Sequence, residues 1–206
     1  MKLVIGDKLS SSWSMRPWVL LKHFGIPFEE TLIRLGRPGT KAKILEVSPS
    51  GKVPCLVTDA GDAVWESLAI IETIAEMYPQ HAMWPRDTAA RARARSVSAE
   101  MHAGFADLRQ NMPMDLSIHA PGMGATPGAL EDIARIEAIW AECLAKSGGP
   151  FLFGEFGIAD AMFAPVVMRF HSYAPQLSAT SLDYAKRVTA LPAVAAWIDD
   201  AREEAR

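Results

Sequence analysis

The chain of 206 residues is half hydrophobic and 22% charged, the profile of an ordinary globular protein with room for one sizeable core or two small ones. Its formal net charge of −3 gives no footing for a nucleic-acid partner, and its one basic run, residues 86–95, spaces four arginines among alanines as a solvated helix face would. No window nears the roughly 18 apolar residues of a membrane span, and the apolar start before Gly6 is too short for a signal-peptide core, so no membrane partner and a cytoplasmic location are expected.

In chain order, residues 2–5 run apolar into a Gly-Asp turn and read as a buried strand. Ser14 suits the N-cap of the following helix, with Pro17 in the first turn. Met15, Trp18, Val19 and Leu21 make its apolar stripe, which stops at Gly25. Alternation predicts a second strand over 28–34. A short helix over 40–47 precedes the turn Ser48-Pro49-Ser50-Gly51. Strands over 53–58 and 63–65 pair through Asp59-Ala60-Gly61-Asp62. Glu66-Ser67 then open a helix with Leu68, Ile71, Ala75 and Tyr78 on one face and Pro79 at its end. A βαβ unit joined to a ββα unit is an α/β domain, assigned to residues 1–80.

The pattern changes after Trp84-Pro85. Asp87 caps a long helix on which Ala90, Ala94, Val97, Met101, Phe105 and Leu108 keep helical spacing, followed by a loop over 111–125. Thr126-Pro127 start the next helix, whose Ile133, Ile136, Trp140 and Leu144 face inward until Gly148-Gly149-Pro150. Helices near 158–171, 182–189 and 192–204 complete an all-α domain over 87–206, with no strand pattern after residue 85.

Three places can carry chemistry. A proline enters a strand at Val53-Pro54, as an edge start or a cis bond beside a ligand would require. Glu66-Ser67 lie at a helix start, where free N–H groups and the helix dipole favour a carboxylate. Ser67 can take that carboxylate and Glu66 an ammonium, although plain capping, very common at such starts, also explains the pair. The serines of Ser10-Ser11-Ser12-Trp13-Ser14 can donate to an anion such as a thiolate, or simply form a turn. Cys55 and Cys143 imply no disulfide framework, and the five histidines stand apart, so no metal is expected.

The segments 11–18 (SSWSMRPW), 50–56 (SGKVPCL), 66–70 (ESLAI) and 153–160 (FGEFGIAD) resemble, in order, the motifs of cytosolic glutathione transferases, closest to the serine-type branch with zeta-like and many bacterial members. The resemblance spans both domains and implies a thioredoxin-like N-terminal domain, an all-α C-terminal domain, glutathione as co-substrate and a homodimer. The family's catalytic serine precedes an arginine by five residues; Arg16 places it at Ser11, with Ser12 as the neighbouring candidate and Trp13 beside them among the glutathione-binding residues. Pro54 matches the proline of the family's cis bond, Val53 the residue pairing with the cysteinyl backbone, Lys52 a position meeting the glycyl end, and Glu66 and Ser67 the γ-glutamyl anchor. Two positions depart. Gly157 stands where the family's capping motif has Ser or Thr before Asp160, and Trp13 stands where zeta enzymes carry a smaller residue.

The implied activity is attack of a glutathione thiolate on a small hydrophobic electrophile. Met101, His102, Phe105, Arg109 and Met112 are candidates for the wall that presents it, Met101 and Phe105 also suiting the core. Two alternatives remain: a glutathione- or ligand-binding protein without turnover, and an isomerase of the maleylacetoacetate type. A thiol transferase is opposed by the absence of cysteine from residues 11–14.

Overall fold

The computed structural model describes residues 1–205; Arg206, last in the expected second domain, lies outside them. The first half runs β1 (Lys2–Ile5), α1 (Ser12–His23), β2 (Glu29–Leu32), α2 (Thr40–Leu45), β3 (Cys55–Val57), β4 (Ala63–Trp65) and α3 (Ser67–Met77). The sheet order is β2-β1-β3-β4. β1 runs parallel to β2 and antiparallel to β3, and β3 runs antiparallel to β4. β1 is central, and its Leu3, Val4 and Ile5 are fully buried, as a strand hydrogen-bonded on both sides and covered by helix requires. This is the thioredoxin-like arrangement, with strands shorter than alternation alone suggests.

The helical half comprises α4 (Thr88–Ala103), α5 (Ala106–Asn111), α6 (Pro127–Ser147), α7 (Ile158–Tyr173), α8 (Ala179–Thr189) and α9 (Pro192–Glu204). Among the described residues its only β pairing is two isolated bridges, Phe151 with Gly154 and Phe153 with Glu155. α7 is the hub. Every residue of it except His171 is buried, and α1 packs against it from the first half and α4 from the second. One continuous hydrophobic cluster therefore joins the halves.

Four expectations need correction. α1 is capped at Ser11, not Ser14: the Asp7 carbonyl accepts the N–H groups of Ser10 and Ser11 at 3.2 and 2.8 Å, so the chain turns helical earlier. Pro17 consequently sits inside the helix, where its missing N–H leaves the Trp13 carbonyl without its usual partner. On α3 the buried face is Ser67, Ile70, Ile71 and Ile74, rotated from the expected Leu68 and Ala75, which are only partly covered. The long helix through Leu108 is two helices, because the chain leaves α4 at Gly104 and Phe105 adopts a left-handed φ of 59°. A Cβ at Gly104 would lie 2.8 Å from the Glu100 carbonyl oxygen, so only glycine fits that exit.

The departure at Gly157 also has a steric cause. A Cβ there would sit 2.7 Å from the Met83 carbonyl oxygen, which already accepts the Ile158 N–H at 3.0 Å. Asp160 supplies the cap instead. Its fully buried carboxyl accepts the N–H groups of Gly157 and Leu152 at 3.0 and 3.1 Å and the Tyr184 hydroxyl at 2.9 Å. Burial pushes its pKa up to about 6 against those three donors.

Candidate functional site

The first turn of α1, the β3 entry and the α3 start meet at one edge of the sheet. Trp13, Lys52, Val53, Pro54, Glu66 and Ser67 line a cleft of about 210 Å³ there. The Val53-Pro54 bond is cis. Glu66, just before α3, holds φ 69°, a sparsely populated conformation for a non-glycine residue, of the kind that persists only where surroundings over-determine it. Ser67 opens α3 and is buried, its Oγ accepting from Arg16 at 3.4 Å.

Ser11 caps α1 and Ser12 is its first residue, and they are 6% and 7% exposed. Their hydroxyls do different things. That of Ser11 donates to Ser14 Oγ at 2.7 Å, and Ser14 Oγ also accepts the Gly6 N–H at 3.1 Å, which ties β1 to α1. That of Ser12 accepts from Arg169 Nη2 at 3.3 Å, and among the described residues its own hydrogen is donated to none.

From the helical half, His102 and Arg109 reach this edge. The His102 ring packs edge-on against Trp13 at 5.2 Å, and its Nε2 lies 3.5 Å from Glu66 Oε2. Burial, and after it Arg16, lowers the His102 pKa, with Glu66 opposing, which favours the neutral ring. Arg109 stacks over Trp13 at 5.3 Å and donates to the carbonyls of Met101 and His102 at 3.3 and 3.1 Å, closing the last turn of α4. Met101, Phe105 and Met112 do not join them. They are 0%, 6% and 0% exposed in the hydrophobic cluster, Met101 on the same buried face of α4 as Ala94 and Val97.

Two buried arginines to which the motifs give no task lie close by, Arg169 against Ser12 and Arg16 against Ser67 and Trp13. Arg16 donates to the Met162 carbonyl at 3.1 Å and to Ser67 Oγ, and its guanidinium lies 4.2 Å from the Trp13 ring centre. Burial holds its pKa well below the usual arginine value, and the neighbouring charges of Arg169 and Arg109 add to that. Arg169 stands out in the sequence after all: it is one cation in the otherwise apolar stretch 161–170. Only the packing of α7 on α1 reveals what it touches.

Residues 10–77 match the family model for the glutathione S-transferase N-terminal domain, and residues 88–200 match that for its C-terminal domain. A Caenorhabditis elegans protein named probable maleylacetoacetate isomerase is 29% identical over 174 residues, which is 82% of this chain and 78% of that protein. The Escherichia coli protein glutathione S-transferase GstB is 30% identical over 161 residues, 71% of this chain and 73% of its own. A solved glutathione transferase homolog from Burkholderia with bound glutathione superposes with a TM-score of 0.76 at 26% identity, covering 98% of each chain.

Proposed function

The chain belongs to the glutathione S-transferase family, and from that premise we propose that it activates glutathione at the α1 mouth and transfers the thiolate to a small hydrophobic electrophile. The observation that carries the reading is the convergence of Trp13 in the first turn of α1, the cis Val53-Pro54 turn and the Glu66-Ser67 start of α3 on one cleft, with the Ser11 and Ser12 hydroxyls preceding Trp13 in the chain. Each part meets one need of the tripeptide. The Val53 backbone runs alongside its cysteinyl unit, Lys52 meets the glycyl carboxylate, and Glu66 takes the γ-glutamyl ammonium while Ser67 and the α3 N-terminus take the carboxylate beside it.

A free thiol near pKa 8.5 is mostly protonated at neutral pH, so the protein must favour the thiolate, and each tenfold gain in the thiolate-to-thiol ratio takes about 1.4 kcal/mol of preferential interaction. Motif spacing points to Ser11 as donor to sulfur. The hydrogen bonding favours Ser12, because Ser11 spends its hydrogen on Ser14 while that of Ser12 is uncommitted. We assign the donor role to Ser12 and a bracing role to Ser11. Trp13, His102 and Arg109 would form the electrophile's side of the cleft; a homodimer and a cytoplasmic setting belong to the same reading. Among the described residues no helix is long and apolar enough to cross a membrane.

Calorimetric titration with glutathione, followed by a chlorodinitrobenzene conjugation assay, tests it. Binding with turnover is expected, with Ser12→Ala lowering kcat by about 10²-fold, the scale of losing one donor to a developing charge, and leaving the dissociation constant little changed. Binding without turnover would favour the ligand-binding alternative, and a loss confined to Ser11→Ala would return the donor role to Ser11. No binding at all would end the reading.

A further inference from the structure

Arg169 lies on α7, the most enclosed helix of the protein, and is 3% exposed. Its partners are the Pro165 carbonyl at 3.2 Å and Ser12 Oγ at 3.3 Å, while its buried Nε has no hydrogen-bond partner. Arg16, fully buried on α1, is likewise held only by neutral acceptors, the Met162 carbonyl and Ser67 Oγ. Among the described residues neither forms an ion pair with a carboxylate. Groups facing them from the neighbouring elements are Arg109 of α5 and His102 of α4 beside Arg16, with Tyr173 on Arg169's own helix.

Burying a guanidinium without an anion is costly, and removing such a charge commonly stabilises a fold. Burial and the nearby Arg109 bring the Arg169 pKa down to about 10, which still leaves it cationic at neutral pH. A fold that keeps two such cations, Arg16 on the opening helix and Arg169 against its first residue, is set for an anion arriving from outside. We propose that Arg169 is a positioning residue for thiolate formation: by donating to Ser12 Oγ it directs that hydroxyl's hydrogen toward the glutathione sulfur and strengthens it as a donor. This rests on the assignment of Ser12 as the sulfur's donor. On binding, the S–H bond breaks with its electron pair left on sulfur and its proton passed to solvent, and the thiolate completes the charge balance that Arg169 and Arg16 lack.

The experiment follows the ultraviolet absorbance of the glutathione thiolate bound to the full-length protein as pH is varied, for wild type, Arg169→Met, Arg169→Lys and Ser12→Ala, with thermal melting of each. Arg169→Met is expected to raise the apparent pKa of the bound thiol by about 1, to leave glutathione affinity within threefold, and to melt no lower than wild type. Arg169→Lys, keeping the charge, should recover part of the difference. In the Ser12→Ala background the Met substitution should add little. A folded Arg169→Met that binds glutathione with an unchanged thiol pKa overturns the proposal while leaving the transferase reading intact. If the Met variant fails to fold, an unchanged thiol pKa in both Arg169→Lys and Ser12→Ala overturns it equally. Failure of the wild type to bind glutathione removes the transferase reading and this inference together.

Discussion

Serine is the better N-cap on chemical grounds, so Gly157→Ser ought to stabilise α7; the packing predicts the reverse. A serine hydroxyl at an N-cap is worth only a few tenths of a kcal/mol over glycine. Its Cβ would be built 2.7 Å from the Met83 carbonyl oxygen, inside any normal contact, and that oxygen cannot retreat freely because it holds the Ile158 N–H at 3.0 Å. Met83 is itself 2% exposed, and neighbouring Trp84 is tied to Glu72 at 2.9 Å. Overpacking costs about 1–3 kcal/mol and a weakened backbone hydrogen bond about 1 kcal/mol, which outweighs the cap. The net loss is about 2–4 kcal/mol, or a fall in Tm of roughly 4–16 °C for a chain of this size. Differential scanning calorimetry of the wild type, Gly157→Ser and Gly157→Ala measures it. Alanine should be the worst of the three, since it brings the clash without the hydroxyl. A serine variant melting at or above the wild type would refute the steric argument.

Asp160→Asn should cost about 1–3 kcal/mol, because an amide NH2 would confront at least one of the three donors that the carboxyl accepts. Since the folded pKa of Asp160, about 6, lies above its ordinary value of 3.8, the folded state holds a proton that the unfolded chain has shed between those pH values. Its contribution to stability is thus complete at low pH and lost as pH rises through 6. The Asn penalty, from urea midpoints, should narrow between pH 4 and pH 7; a penalty that widens means the carboxylate is held ionised. Glu66→Gln, which removes the charge proposed to meet the ammonium, should weaken glutathione binding about tenfold by calorimetry, at an unaltered melting temperature. Arg135→Ala breaks an exposed two-pronged pair with Glu100 at 2.7 and 2.9 Å and should change stability by less than about 1 kcal/mol. A larger change would mean that solvent screening has been overestimated.

Much of the architecture was readable from local signals. Element order, the hairpin at residues 59–62, the Asp87 and Thr126 caps and the stop at Gly148 follow from periodicity and turn chemistry, which act between residues a few positions apart. The motif at Val53-Pro54 and the pair Glu66-Ser67 were visible for the same reason, since each is a short run at an element boundary. What escaped was everything set by contacts across long separations. The turn of α3 about its own axis depends on which side the sheet presents, and the break between α4 and α5 depends on a left-handed residue that no periodicity reports. Ser12 and Arg169 are 157 positions apart, and Gly157 is required by a carbonyl at residue 83. Sequence alone determined most of the elements, the split of α4 from α5 excepted, and the family to which they belong. Tertiary structure decided which serine keeps its hydrogen, which arginine stands behind it, and why a better cap would be a worse residue, because hydrogen-bond direction and steric exclusion are properties of groups brought together only by folding.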